Sequence, residues 1–158
     1  MNNVQLDLLS IFEREGVRYL LIGGYAIRAH CIDRETHDLD IWVSNSRQNA
    51  KRVARGFDRL GRKPPRDNWE ALFQKKDIRF AYPDDQTKQV DILTSIGSMN
   101  FYDCFDRSVI VDCEGTRLRV LGLEDLIASK RVSLESGNDV NAHKRDQKDL
   151  DALILKLP

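Results

Sequence analysis

Hydrophobic positions in the first third of the chain follow helical spacing and then strand spacing. Val4, Leu8, Ile11 and Phe12 fall on one face of a helix over residues 4–14, and Gly16 is suited to end it. The apolar run at 19–22 is typical of a buried strand. Residues 38–43 alternate between acidic or aromatic and aliphatic side chains, which predicts a second strand.

The same patterns predict the remaining elements. Helices are expected at 25–31, 46–60, 123–134 and 142–157, and strands at 77–82, 89–94, 108–112 and 116–120. Residues 61–65 read as a loop because of their paired prolines, 69–73 as a short amphipathic piece, and 83–85 and 136–139 as turns. Helices and strands alternate early and two helices close the chain. This order favours an α/β (α+β) fold, a small mixed β-sheet flanked by helices.

Length and charge narrow the function. The chain has 158 residues, enough for one compact domain (1–158) with the C-terminal helices 123–157 packed on it. Basic and acidic residues number 25 each, so no global positive field draws the protein to nucleic acid or to anionic membrane. One basic concentration stands out within 51–66. It is either a solvated helix exterior or a landing surface for RNA or an acidic partner protein, and it comprises Lys51, Arg52, Arg55, Arg59, Arg62, Lys63 and Arg66.

Hydropathy and cysteine usage indicate the setting. No apolar run approaches the ~20 residues that a membrane helix needs. The first residues lack the pattern of a secretory signal. The cysteines are Cys31, Cys104 and Cys113, an odd and widely spaced set that suits neither a disulfide framework nor a zinc site. We therefore expect a cytoplasmic location and no membrane association.

Gly23 and Gly24 join the first strand to the next helix. Two glycines let the backbone approach a ligand closely, and a helix start offers N–H groups suited to phosphate. Many strand-to-helix turns use glycine for geometry only, so the pair alone leaves both interpretations open.

Three carboxylates lie on predicted strands. Asp38 and Asp40 share one face, ~6.6 Å apart along the strand. Two such carboxylates repel each other unless a cation lies between them, so the pair is either exposed at a strand start or binds Mg²⁺ or Mn²⁺. Asp91 is a lone carboxylate in a later apolar strand, and the alternative for it is a solvated edge position. If the strands are neighbours, the three carboxylates converge and can hold two divalent ions ~3.5–4 Å apart.

The order of these residues resembles a known superfamily. Gly23-Gly24, then Asp38-x-Asp40, then Asp91 is similar to the DNA polymerase β-like nucleotidyltransferases. The segments 22–26 and 34–41 look especially like the small bacterial branch with AbiEii-like, minimal and lincosamide nucleotidyltransferases. The segments 123–130 and 145–150 resemble the closing helices of the AbiEii-like proteins. Many members carry Gly-Ser where this chain has Gly-Gly, which removes one hydroxyl-to-phosphate contact.

The resemblance implies a nucleotidyltransferase fold and a set of roles. Asp38 and Asp40 would bind Mg²⁺ (or Mn²⁺), two ions in all, together with the triphosphate of an NTP substrate. Asp91 would help hold the second ion and act as base toward the acceptor hydroxyl. Gly23 and Gly24 would contact the β- and γ-phosphates.

Further residues match the motifs and have structural alternatives. Arg34 and Thr36 orient the Asp pair or touch a phosphate, unless Arg34 is a surface partner of a neighbouring acid. Lys130 lies on the apolar side of its helix and either contacts the triphosphate or extends to solvent. Arg145 and Asp149 match the family tail but also fit a solvated helix face.

The sequence thus predicts a Mg²⁺-dependent transferase that moves a nucleoside monophosphate from an NTP to an unidentified acceptor. RNA, protein and a small molecule all remain open as acceptors, as does a homodimer in which the acceptor binds across the interface. Analogy suggests a toxin–antitoxin or defence module. The alternative is a non-catalytic interaction protein, an antitoxin-like partner that keeps the fold.

Overall fold

A computed structural model describes residues 1, 3–61, 78–82, 85–137 and 139–158, with backbone only at 78–82 and 85–89. The loop predicted at 61–65, apart from Gly61, and the amphipathic piece predicted at 69–73 lie outside these residues. Within the described ranges, no helix is both long enough and apolar enough to cross a membrane.

The described elements follow the predicted order of helices and strands, with one further helix at Phe101–Asp106. The helices are α1 (Asn3–Glu15), α2 (Gly23–Ala29), α3 (Arg47–Arg59), α4 (Phe101–Asp106), α5 (Leu123–Ser136) and α6 (Val140–Ile154). The strands are β1 (Tyr19–Leu21), β2 (Leu39–Val43), β3 (Ile78–Tyr82), β4 (Asp85–Leu93), β5 (Val109–Cys113) and β6 (Thr116–Val120).

The six strands form one mixed sheet in the order β3-β4-β2-β1-β6-β5. The pairs β2–β4 and β1–β6 are parallel, and the pairs β1–β2, β3–β4 and β5–β6 are antiparallel. The predicted α/β class with a small mixed sheet is therefore confirmed. The order places β2 in the interior of the sheet, with β1 on one side and β4 on the other.

Helices α1 and α3 pack together through aromatic side chains. The rings of Phe12 and Phe57 meet edge to face with centroids 5.8 Å apart. Gly56 permits this approach, because a Cβ there would lie 2.9 Å from Phe12 Cδ1. The inner face of α3 carries Val53 and Phe57, which are both buried.

Helix α2 was predicted at 25–31 and lies at Gly23–Ala29, so it differs from its prediction at both ends. It begins at Gly23, so both glycines belong to the helix and not to a turn before it. Gly23 has a φ of +62°, a value that glycine adopts without the steric cost a Cβ imposes. The chain therefore turns and enters the helix within one residue of the strand segment.

Helix α4 was absent from the sequence prediction. Asn100 caps it by accepting hydrogen bonds from the N–H groups of Tyr102 and Asp103. Phe101 packs edge to face against Trp42, with centroids 5.2 Å apart. Since Trp42 is buried on β2, this helix supports the strand that carries Asp40.

The two C-terminal helices pack against each other, and α5 contacts α2. Arg107 forms two hydrogen bonds to the Asp125 carboxylate, at 3.1 and 2.8 Å, which fix the start of α5 beside the end of α4. Leu126 and Leu153 enter the core from the two helices. The prediction of a single domain over 1–158 stays a prediction.

Asn49 on α3 joins the strands β1 and β2 at one end. Its side chain accepts from the Arg18 N–H at 2.7 Å and donates to the carbonyls of Arg18 and Ser44 at 3.0 and 2.8 Å. Replacing it by alanine removes these three hydrogen bonds to the backbone, while the Arg18 carbonyl keeps the Ser44 N–H as a partner. We expect Asn49→Ala to lower the free energy of unfolding by about 3 kcal/mol in urea titrations.

The control is Gln48→Ala, an exposed position on the same helix, for which we expect a change within about 0.5 kcal/mol. Equal effects of the two substitutions would contradict the role assigned to the Asn49 side chain.

Candidate active site

Two carboxylates lie side by side on neighbouring strands in the interior of the sheet. Asp40 on β2 and Asp91 on β4 are register partners on neighbouring parallel strands. Register partners in a parallel pair lie ~4.8 Å apart and project to the same face of the sheet. The strand order therefore brings these two carboxylates together, as the sequence predicts if their strands are neighbours.

The glycine pair packs directly on this site. The N–H of Ile22 donates to the Asp40 carbonyl at 3.0 Å, which aligns the end of β1 with β2. A Cβ on Gly23 would lie 2.7 Å from the Asp40 Cγ, so only glycine fits beside the carboxylate. The Gly24 N–H hydrogen-bonds to the Asp40 side chain. The Gly24 N–H, which the sequence predicts to contact a phosphate, therefore already binds Asp40.

Burial and like charge raise the pKa of Asp40. Burial contributes most and the neighbouring Asp91 contributes next, which brings the pKa to about 7, with Asp38 adding a smaller effect in the same direction. Lys130 and the Gly24 hydrogen bond oppose the rise. The ionised form of Asp40 is thus held in a setting that favours a nearby cation.

The chemistry of the carboxylates fits a divalent cation at Asp40 and Asp91. Their oxygens are the hard ligands that Mg²⁺ and Mn²⁺ prefer. Over the described ranges, however, no group of three or more Asp, Glu, His or Cys side chains is placed to hold a metal ion. Asp38 is exposed just before β2, and its part as a third ligand stays a prediction.

Thr36 shapes the segment that leads into Asp38. It packs on Gly24, whose Cβ would lie 2.6 Å from the Thr36 Cβ, and its hydroxyl donates to the Asp38 carbonyl at 3.5 Å. This places Thr36 between the glycine pair and the Asp pair. Its contacts support the predicted orienting role, and phosphate contact stays a prediction.

Arg34 and Lys130 meet at one buried carboxylate, that of Asp149 on α6. Arg34 Nε lies 2.7 Å from Asp149 Oδ1, and Lys130 Nζ lies 3.0 Å from Asp149 Oδ2. The Asp149 side chain is 3% exposed. Arg34 is therefore no surface partner of a neighbouring acid, and Asp149 does not belong to a solvated helix face.

Lys130 also binds Asp146, at 2.6 Å, and Ser133 donates to the other Asp146 oxygen at 2.5 Å. Although burial raises it, these hydrogen bonds from Lys130 and Ser133 lower the pKa of Asp146 on balance. Neither Asp146 nor Ser133 is among the site residues predicted from the sequence. The signal was present, because Asp146 and Asp149 are three residues apart on one helix face.

Other predicted residues lie away from this cluster. Arg145 is exposed, and its charge contributes weakly to lowering the pKa of Asp146. In the basic segment 51–66, Arg55 and Arg59 both pair with Glu15, and Arg52 donates to the Gly16 carbonyl at 3.0 Å. These bonds join α3 to α1. Of the same segment, Arg62, Lys63 and Arg66 lie outside the described residues.

Comparison with known proteins identifies similar chains. A family model described as "Nucleotidyl transferase AbiEii toxin, Type IV TA system" matches residues 7–156. A search of curated proteins gives no match.

Three solved structures share the fold. The lincosamide antibiotic adenylyltransferase LnuA, lincomycin-bound, is 16% identical with a TM-score of 0.59, covering 97% of this chain and 98% of its own. An antigenic nucleotidyltransferase-like protein from Paracoccidioides brasiliensis is 12% identical with a TM-score of 0.57, covering 98% and 78%. ANT(2")-Ia in complex with adenylyl-2"-tobramycin is 12% identical with a TM-score of 0.53, covering 95% and 90%. At these identities the likeness shows the fold.

Gly23 offers a test of the close approach to Asp40. We expect Gly23→Ala to lower the free energy of unfolding by about 3 kcal/mol, because a left-handed alanine and an overlap with a carboxylate both act. Gly16→Ala is a matched control, since Gly16 has a φ of +66° and nothing within 4 Å of its Cβ position. It carries the backbone strain alone, about 1 kcal/mol. Equal losses in urea titrations would show that the Asp40 contact is not limiting.

Asp149 is expected to be costly to neutralise. Asp149→Asn leaves the charges of Arg34 and Lys130 with less compensation in a buried setting, and we expect a loss of about 3 kcal/mol in unfolding free energy. Asp151→Asn on the same helix is exposed and is expected to change it by less than about 0.5 kcal/mol. An Asp149→Asn protein as stable as the control would refute the bridging role of this carboxylate.

Proposed function

The chain belongs to the AbiEii nucleotidyltransferase family, and from this premise we propose that it transfers a nucleoside monophosphate from an NTP to an acceptor hydroxyl in a divalent-cation-dependent reaction. The observation that carries the proposal is the pairing of Asp40 and Asp91 on neighbouring strands, with Gly23 packed against Asp40. Phosphoryl transfer demands charge neutralisation, alignment and removal of one proton.

The cation is proposed to be Mg²⁺ or Mn²⁺, held by Asp40 and Asp91. Asp38 is proposed to complete the ligand set when the nucleotide binds. When bound, the cation would neutralise the charge of the triphosphate and of the carboxylates. The raised pKa of Asp40 supports this assignment, because a carboxylate that is costly to ionise gains most from a neighbouring cation. Two ions are proposed, as in the superfamily that the sequence resembles.

The protein's own groups would then position the triphosphate. The charge of Lys130 lowers the pKa of Asp40, and we propose that its ammonium group also attracts the triphosphate bound beside that carboxylate. Arg34 is tied to the same Asp149 and extends from the segment before β2. Gly23 and Gly24 form the start of α2 beside Asp40, where the triphosphate is proposed to bind. We assign all four residues to nucleotide binding.

The transfer step balances without a further reactant. The acceptor oxygen forms a bond to the α-phosphorus, the bond from that phosphorus to pyrophosphate breaks, and the acceptor proton passes to Asp91. Asp91 is proposed as the base because it is the second carboxylate of the register pair.

The acceptor is proposed to be a separate molecule, an RNA end, a protein hydroxyl or a small hydroxylated compound. One structural neighbour is a lincosamide antibiotic adenylyltransferase, another is in complex with adenylyl-2"-tobramycin, and the family description is that of a toxin. We propose a toxin role for this chain on the strength of the family. Identification of the acceptor tests that role, because a growth-arresting enzyme must modify an essential cell component.

The proposed activity predicts label transfer that depends on a divalent cation. Purified protein is incubated with each α-labelled NTP and Mg²⁺ or Mn²⁺, in separate arms with total cell RNA, cell protein, a lincosamide or an aminoglycoside. We expect label on one acceptor class, abolished by a chelator. Asp40→Asn and Asp91→Asn should each reduce the transfer rate by more than about 100-fold. Loss of a metal ligand is expected to lower the rate more than loss of a residue that only hydrogen-bonds to a ligand.

Asp58→Asn, an exposed carboxylate on α3, is the matched control and should retain the full rate. Transfer that survives both strand substitutions would refute the site. Nucleotide binding without transfer to any acceptor would favour the alternative, a non-catalytic interaction protein with the same fold.

A further inference from the structure

We propose that Gln5 on α1 is a positioning residue for the candidate active site, and that it fixes the segment before Asp38 against the glycine helix α2. This inference rests on the proposed function. It concerns a residue that precedes the 7–156 range matched by the family model. Gln5 acts through the two residues to which it hydrogen-bonds, His37 and Tyr25.

Gln5 is an unusual residue for its place. It is fully buried on α1, with 0% exposure, on a helix whose other buried residues are all apolar. A buried amide is unfavourable unless its hydrogen bonds are satisfied, and a leucine or methionine would fill the same space without that requirement. The polar group must therefore be explained by what it binds.

The amide bridges two segments that border the site. Its Nε2 donates to the backbone carbonyl of His37 at 2.7 Å, and its Oε1 accepts from the hydroxyl of Tyr25 at 3.0 Å. The second bond is buried on both sides. Gln5 thus has the donor and the acceptor that this bridge requires, at the two ends of one rigid planar group.

Each end of the bridge is one residue from a site residue. His37 directly precedes Asp38, and Tyr25 directly follows Gly24. Residues 32–37 form no helix or strand, so the sheet does not fix this segment by itself. The Gln5 bond supplies a fixed point at its last residue, immediately before the acidic strand begins.

Removal of the bridge should loosen the site without removing a ligand. Gln5→Met keeps the length and apolar volume of the side chain and loses both hydrogen bonds. We expect Mn²⁺ binding, followed by electron paramagnetic resonance of the free ion, to weaken by about tenfold, as for outer partners of metal ligands. The KM for the metal–NTP complex should rise by a similar factor, while high Mn²⁺ restores most of kcat.

Two further variants separate positioning from general stability. Tyr25→Phe removes one of the two bonds and is expected to weaken Mn²⁺ binding less than Gln5→Met. Ile11→Val trims a buried apolar side chain on the same helix and lowers the melting temperature without touching the bridge. It should bind Mn²⁺ as the unmodified protein does.

The outcomes are distinct. Weaker Mn²⁺ binding by Gln5→Met, with unchanged binding by Ile11→Val, supports the inference. Equal Mn²⁺ affinity for Gln5→Met and the unmodified protein overturns it and leaves the proposed function standing, as does equal weakening in Ile11→Val. Failure of the unmodified protein to bind Mn²⁺ or transfer label overturns the proposed function itself, and this inference with it.

Discussion

The repulsion between two carboxylates on neighbouring strands is the constraint around which this fold is arranged. Asp40 and Asp91 are register partners inside a parallel pair, and Asp40 is mostly buried, so its pKa is raised to about 7. A protein selected for stability alone would place aliphatic side chains there. The N–H of Gly24 and the ammonium group of Lys130 lower the pKa of Asp40 and so oppose this repulsion. Gly23 has no side chain and therefore lets the backbone lie against the Asp40 carboxylate.

Much of this arrangement is readable in the sequence, because it depends on local patterns. Alternation at 38–43 places Asp38 and Asp40 on one face, and a lone Asp91 in an apolar run indicates a second strand. The turn Glu114-Gly115 between the strands predicted at 108–112 and 116–120 indicates the β5–β6 hairpin, and both residues have positive φ. In each case a property of a few consecutive residues determines the element.

The parts that sequence reasoning missed depend on residues far apart in the chain. Nothing local to Asp149 shows that it lies between Arg34 and Lys130, since 115 residues separate it from Arg34. In the sequence, Gln5 is one polar residue of an amphipathic helix, and only the fold brings it to His37, 32 residues away. Helix α4 was missed because six residues give too little periodicity, and its start depends on the Asn100 cap and on packing against Trp42.

The C-terminal helices therefore do more than cover the sheet. Helix α5 carries Lys130, and α6 carries the two carboxylates that hold it, Asp146 and Asp149. Asp149 also holds Arg34, which belongs to the segment before β2. Two basic side chains from distant parts of the chain are thus held by one helix. Because a charge acts over several ångströms, Lys130 affects the pKa of Asp40 from outside the strand pair, and α6 contributes by holding Lys130 in place.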